Sequence, residues 1–130
     1  QAALVADPAA AARDTVDVCL SSPPPPADAD AFVAAALRAD GGWLGRLMAD
    51  HTALDWRPLL RGWPAGRRAL VVVGGGTKVH APGGVRAVGD LMGDAATVVE
   101  MPGGSHWCYW EEAAAFNTIL LDFLGAKAVA

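Results

Sequence analysis

The run Ala69-Leu70-Val71-Val72-Val73, stopped by Gly74-Gly75-Gly76, constrains this chain more than any other segment. It is continuously apolar and β-branched, not alternating. A strand buried on both faces reads this way, and such strands pair in parallel under covering helices. A second run, Ala96-Thr97-Val98-Val99-Glu100, breaks at Met101-Pro102-Gly103-Gly104. Between the two, Val85, Val88, Leu91 and Met92 carry a helical repeat. After them Phe116, Ile119, Leu120, Phe123 and Leu124 form a regular apolar stripe, with Glu111 and Glu112 expected in the first turns of that closing helix. The pattern predicts an α/β fold whose C-terminal part, residues 65–130, is a β-α-β-α unit with a right-handed crossover. Two strands make a poor open sheet, so this unit reads as the end of a larger parallel sheet. Its exposed strand edge is expected to invite self-association.

Residues 1–64 differ in composition, being Ala-rich and helical. The stretch Ser21-Ser22-Pro23-Pro24-Pro25-Pro26 is an extended Pro-rich connector at 21–26. Asp28 or Asp30 is expected to cap a helix carrying Phe32, Val33, Ala36 and Leu37, which Gly41-Gly42 would end. A further helix should run from about Trp43, with Leu44, Leu47, Met48 and His51 on one stripe. With 53% hydrophobic and 18% charged residues the chain can bury a core and is not a disordered segment. Ten basic against fourteen acidic residues, net −4, leave no basic stripe, which excludes nucleic acid as a partner. No apolar run reaches the ~18 residues of a bilayer span, so no membrane partner is expected. Cys19 and Cys108 cannot build a disulfide scaffold, which points to a reducing, cytoplasmic compartment. Asp7 and Pro8 interrupt the first apolar stretch, unlike a secretory leader. The first residue is Gln1, so the chain is expected to be processed or part of a longer one.

In open α/β sheets, ligands gather at the carboxyl ends of the strands, here the loops 74–82 and 101–110. The first, GGGTKVHAPGG, is glycine-rich but has neither phosphate-loop spacing nor the dinucleotide fingerprint. The second, MPGGSHWCYWEE, holds His106 just after a strand, with Trp107 and Tyr109 beside it. A histidine so placed is a natural proton shuttle. The alternative is a loop histidine packed against Trp107 for structural reasons. His51 and Asp55 share a helix face four residues apart, but with no third ligand at recognisable spacing they read as neighbours and no metal is expected.

From Asp55-Trp56-Arg57-Pro58 to Leu124 the chain resembles the C-terminal part of an α/β-hydrolase. The matching features are a penultimate strand ending in glycine, a helix, a last strand, then G-G-S-H-W, Glu111, Phe116-Asn117 and a closing helix ending in Phe123-Leu124. The likeness is to the esterase and haloperoxidase-like branch, and the preceding helices are similar to its cap. The segment Arg61 to Arg68 departs from that branch, being longer and more basic. The resemblance implies that His106 is the general base of a nucleophile-His-acid triad acting on a small-molecule substrate, a small apolar ester or similar acyl compound. No cofactor is expected, and Trp107, next to His106, is the candidate substrate-binding residue. The nucleophile elbow G-x-S-x-G is missing: Ser21 and Ser22 lie in the connector, Ser105 adjoins His106 in the wrong kind of turn, and Cys108 sits too close to its base. The expected partner is therefore the missing N-terminal half of the same fold. Thr77 occupies the register where the family places its acid. Asp55 is the substitute, with a helix cap or an Arg57 partner as its other reading. A non-catalytic ligand-binding domain of the same fold is the alternative function.

Overall fold

The structure, a computed structural model, describes residues 7–125. The chain forms two compact units. One comprises the residues up to Val18 together with Ser22–Asp55, and the other comprises Cys19–Ser21 together with Trp56 onward.

The first unit is helical, with α1 at Pro8–Cys19, α2 at Pro26–Ala36 and α3 at Gly41–Ala53; the last residue of α1 belongs to the second unit. Pro26 opens α2 because a first-turn N–H has no intrahelical acceptor, so a residue lacking one loses nothing there. Neither Asp28 nor Asp30 is therefore the cap. Pro25 holds that position, Asp28 lies in the first turn, and the connector ends one residue earlier than the composition suggests. Gly41 and Gly42 likewise do not terminate a helix but begin α3. The side chain of Asp40 captures the backbone N–H of Trp43 at 2.6 Å and caps that helix at its start. Val16 and Val33 are buried and line one recess with Pro23 and Pro24. On α3 the expected apolar stripe is not covered, since Leu47 and Met48 are exposed.

The second unit is mixed α/β. It contains α4 at Arg57–Arg61, β1 at Ala69–Gly74, α5 at Pro82–Met92, a 3-10 turn at Gly93–Ala95, β2 at Ala96–Met101, α6 at Cys108–Glu111 and α7 at Ala113–Leu124. The two strands pair in parallel from Ala69 opposite Ala96 to Gly74 opposite Met101, as the two apolar runs predict. Among the described residues each strand is paired on one edge only. Val73 is fully buried and Met101 nearly so. On one sheet face α5 lies so close that a Cβ on Gly89 would fall 2.2 Å from Cγ2 of Val98, and Arg86 of the same helix pairs with Glu100. Arg68, just before β1, donates to the Phe123 carbonyl at 2.6 Å and lies 4.7 Å over the Phe123 ring. A cation at the last carbonyls of a helix complements its dipole, so this contact fixes the end of α7.

The closing helix is not one element. The chain leaves helical geometry at Glu112 (φ −117°, ψ 46°), so Glu111 ends the short α6 and Glu112 precedes α7. Its apolar stripe is half-buried, with Leu124 exposed. Among the described residues no helix is long and apolar enough to cross a membrane.

The Gly89 contact yields a prediction. Alanine in a helix interior is favoured over glycine by about 1 kcal/mol. Overpacking against a stiff β-branched partner costs about 1–3 kcal/mol, so the clash should win. Gly89→Ala is expected to lower the urea midpoint in the natural chain and to raise it in a Val98→Ala background. A stabilising Gly89→Ala in the natural chain would contradict this packing.

Candidate active site

Because Gly74 and Met101 end opposite one another in a parallel pair, the loops that follow leave from the same end of the sheet. The pairing continues past the strands. Gly75 donates to the Met101 carbonyl and Gly76 to that of Gly104, each at 2.9 Å. Gly74 has to be glycine: a Cβ there would lie 2.1 Å from the Ser105 carbonyl oxygen, a backbone atom that cannot swing away. This close approach brings the residue before His106 directly onto the end of β1.

The two loops line a half-open cavity of about 190 Å³ walled by Val72, Gly74, Thr77, His80, Val85, Ser105, His106 and Cys108. His106 is half-buried in the loop after β2, where the sequence puts it. Its ring meets that of His80 edge to face, with centroids 5.4 Å apart and planes at 72°. Burial holds the His106 pKa below its ordinary 6.5, and the neighbouring His80 lowers it further. At neutral pH the ring is thus an uncharged base, able to accept a proton.

The other nucleophile candidates are quiet. Burial raises the pKa of Cys108, the nearby acids Glu112 and Glu111 add to the rise, and backbone N–H groups oppose it only in part, so the side chain stays a thiol. The Cys19 thiol is raised by burial as well; both cysteines are free. Ser105 is 2% exposed and its Oγ has no hydrogen-bond partner among the described residues, so no base activates it. The first loop is not a phosphate cradle. Its N–H groups at Gly75, Gly76 and Thr77 are bonded to carbonyls, and that of Val79 to Thr77 Oγ1. His51 and Asp55 do not share a helix face, because α3 ends at Ala53 and Leu54 is already extended (φ −83°, ψ 140°); among the described residues no group of three or more His, Cys, Asp and Glu could hold a metal ion.

Trp107 does not wall the cavity. Its backbone N–H donates to the Cys19 carbonyl at 3.0 Å, and its ring lies 5.9 Å from that of Trp110. Asp55 belongs to the first unit, between α3 and α4, and the N-cap of α4 is Trp56, so Asp55 is not that helix's cap. Two features escaped the sequence pattern. One is His80, brought to His106 by the parallel register and the closure of the two loops on each other. The other is the strap Cys19–Ser21. Ser21 donates through both its N–H and its hydroxyl to Glu111 Oε1, at 2.9 and 2.6 Å, and Lys78 Nζ donates to the Leu20 carbonyl at 3.4 Å. The strap thus ties both loops that flank the histidines. Comparison of the chain with protein-family models, curated proteins and solved structures found no match.

The depressed His106 pKa carries a stability consequence. Below 6.5 the unfolded chain binds a proton that the folded chain resists, so this group's contribution is lost as pH falls from 6.5 through the folded pKa. His80→Asn should raise the pKa of His106, read from its imidazole proton shifts. His106→Asn should flatten the loss of urea stability on acidification. A His106 pKa unchanged by His80→Asn would contradict the pairing.

Proposed function

We propose that this chain is the C-terminal part of an α/β-hydrolase, in which His106 is the general base for cleavage of a small apolar ester or similar acyl bond. The observation that carries the reading is the placement of an uncharged, half-buried imidazole at the carboxyl end of the last parallel strand, beside a cavity sized for a small substrate. There it would take the proton of a nucleophile and return one to the leaving group. The nucleophile and the oxyanion donors would come from polypeptide outside these 130 residues. That polypeptide would also cover a free strand edge, and without it the chain would self-associate.

One observation favours the second reading, a ligand-binding domain without catalysis. The acid's register holds Thr77, whose Oγ1 accepts from Val79 N, and among the described residues no carboxylate walls the cavity. Asp55 is the proposed acid if the triad is complete. The reading frame upstream discriminates: the hydrolase reading expects a G-x-S-x-G elbow there. In that longer protein, His106→Ala should lower turnover of p-nitrophenyl acetate on the order of 10⁴-fold or more, and Asp55→Asn should do the same if Asp55 is the acid. The 130 residues alone should show no His106-dependent turnover. A missing elbow, or full activity in His106→Ala, would leave the binding domain as the account.

A further inference from the structure

His80 is the group at the cavity that the hydrolase reading does not use. Two imidazoles face one small space, 5.4 Å apart and edge to face, and no carboxylate walls it. The charged groups around it are turned elsewhere. Glu100 is bound by Arg86, Glu111 accepts from Ser21, and Lys78 reaches the Leu20 carbonyl. Glu112 acts on the Cys108 thiol, and Cys108 and Tyr109 are both held protonated by burial. Among the described residues the walls therefore offer two imidazoles and the unpartnered Ser105 hydroxyl, and no carboxylate.

The chemistry of the walls narrows the ligand. Phosphate sites use backbone N–H groups, and those of Gly75, Gly76, Thr77 and Val79 are already bonded. A carboxylate needs only two donors, one for each oxygen. Val72 and Val85 supply an apolar wall for an alkyl tail. The cavity, about 190 Å³, is of a size for a small ligand such as butyrate.

We propose that the cavity at the carboxyl ends of β1 and β2 binds a short-chain monocarboxylate, its oxygens held by His80 and His106 and its tail against Val72 and Val85. Binding requires neither nucleophile nor triad acid, so the site goes beyond the hydrolase reading and stands or falls separately. An anion held in the cavity beside the rings favours the cationic form of His106, so binding takes up a proton. Affinity should rise as pH falls, until the ligand's own carboxyl protonates.

The test is hydrogen exchange at the imidazole C2 position, read by mass spectrometry on the 130-residue chain. It reports each histidine's pKa whatever the oligomeric state. His51, exposed on α3, serves as the internal reference. At matched ionic strength, butyrate should raise the His106 pKa by about one unit, while leaving His51 in place. Butyramide and inorganic phosphate should not, and His80→Asn should abolish most of the rise. In the unsubstituted chain the response should grow from acetate to butyrate as the tail reaches Val72 and Val85. An equal shift at His51, an equal effect of butyramide or phosphate, or a response indifferent to chain length would overturn the proposal.

Discussion

The contact on which the rest of the second unit depends is the seating of the Ser105 carbonyl on Gly74. The pairing of β1 with β2 does not stop where the strands end, because the loops that follow are bonded to each other as well. The ladder runs on through Gly75 to Met101 and Gly76 to Gly104, and only the absent Cβ of Gly74 allows the two backbones to come this close. Closure fixes the turn before His106 and the turn before His80 in one frame. The imidazole contact, the shared cavity and the depressed His106 pKa all follow from it.

A closed frame would still rock if its loops were held only at their strand ends. The strap Cys19–Ser21 supplies the outer restraint: Trp107 of the second loop, Glu111 at the end of α6 and Lys78 of the first loop all bond to it. The Ser21 hydroxyl and amide converge on one carboxylate oxygen, and hydrogen bonds to a charged acceptor are the stronger kind. The buried Ser105 hydroxyl runs against this order. Its Oγ has no hydrogen-bond partner among the described residues, and Ser105 lines the cavity.

What the sequence disclosed follows from how locally each feature is encoded. Both strands, their parallel pairing, the α5 repeat and the position of His106 were legible because β-branched runs and glycine stops act on their own residues. The start of α3 was not, since Asp40 overrides the stop that Gly41-Gly42 suggest. Nor was the break at Glu112, which sits among good helix formers and is visible only in its dihedral angles. His80 and the Ser21–Glu111 contact were hidden for another reason. Each joins residues far apart in the chain, and register, not composition, sets such meetings.

The central claim is that the close approach at Gly74 holds the two imidazoles together, and nuclear Overhauser contacts between the ring protons of His80 and His106 test it most directly. The account predicts a contact in the natural chain that disappears in Gly74→Ala. It should persist in Gly83→Ala, where an added Cβ meets nothing within 4 Å. A natural chain without the contact, or a Gly74→Ala chain that keeps it, would contradict the account.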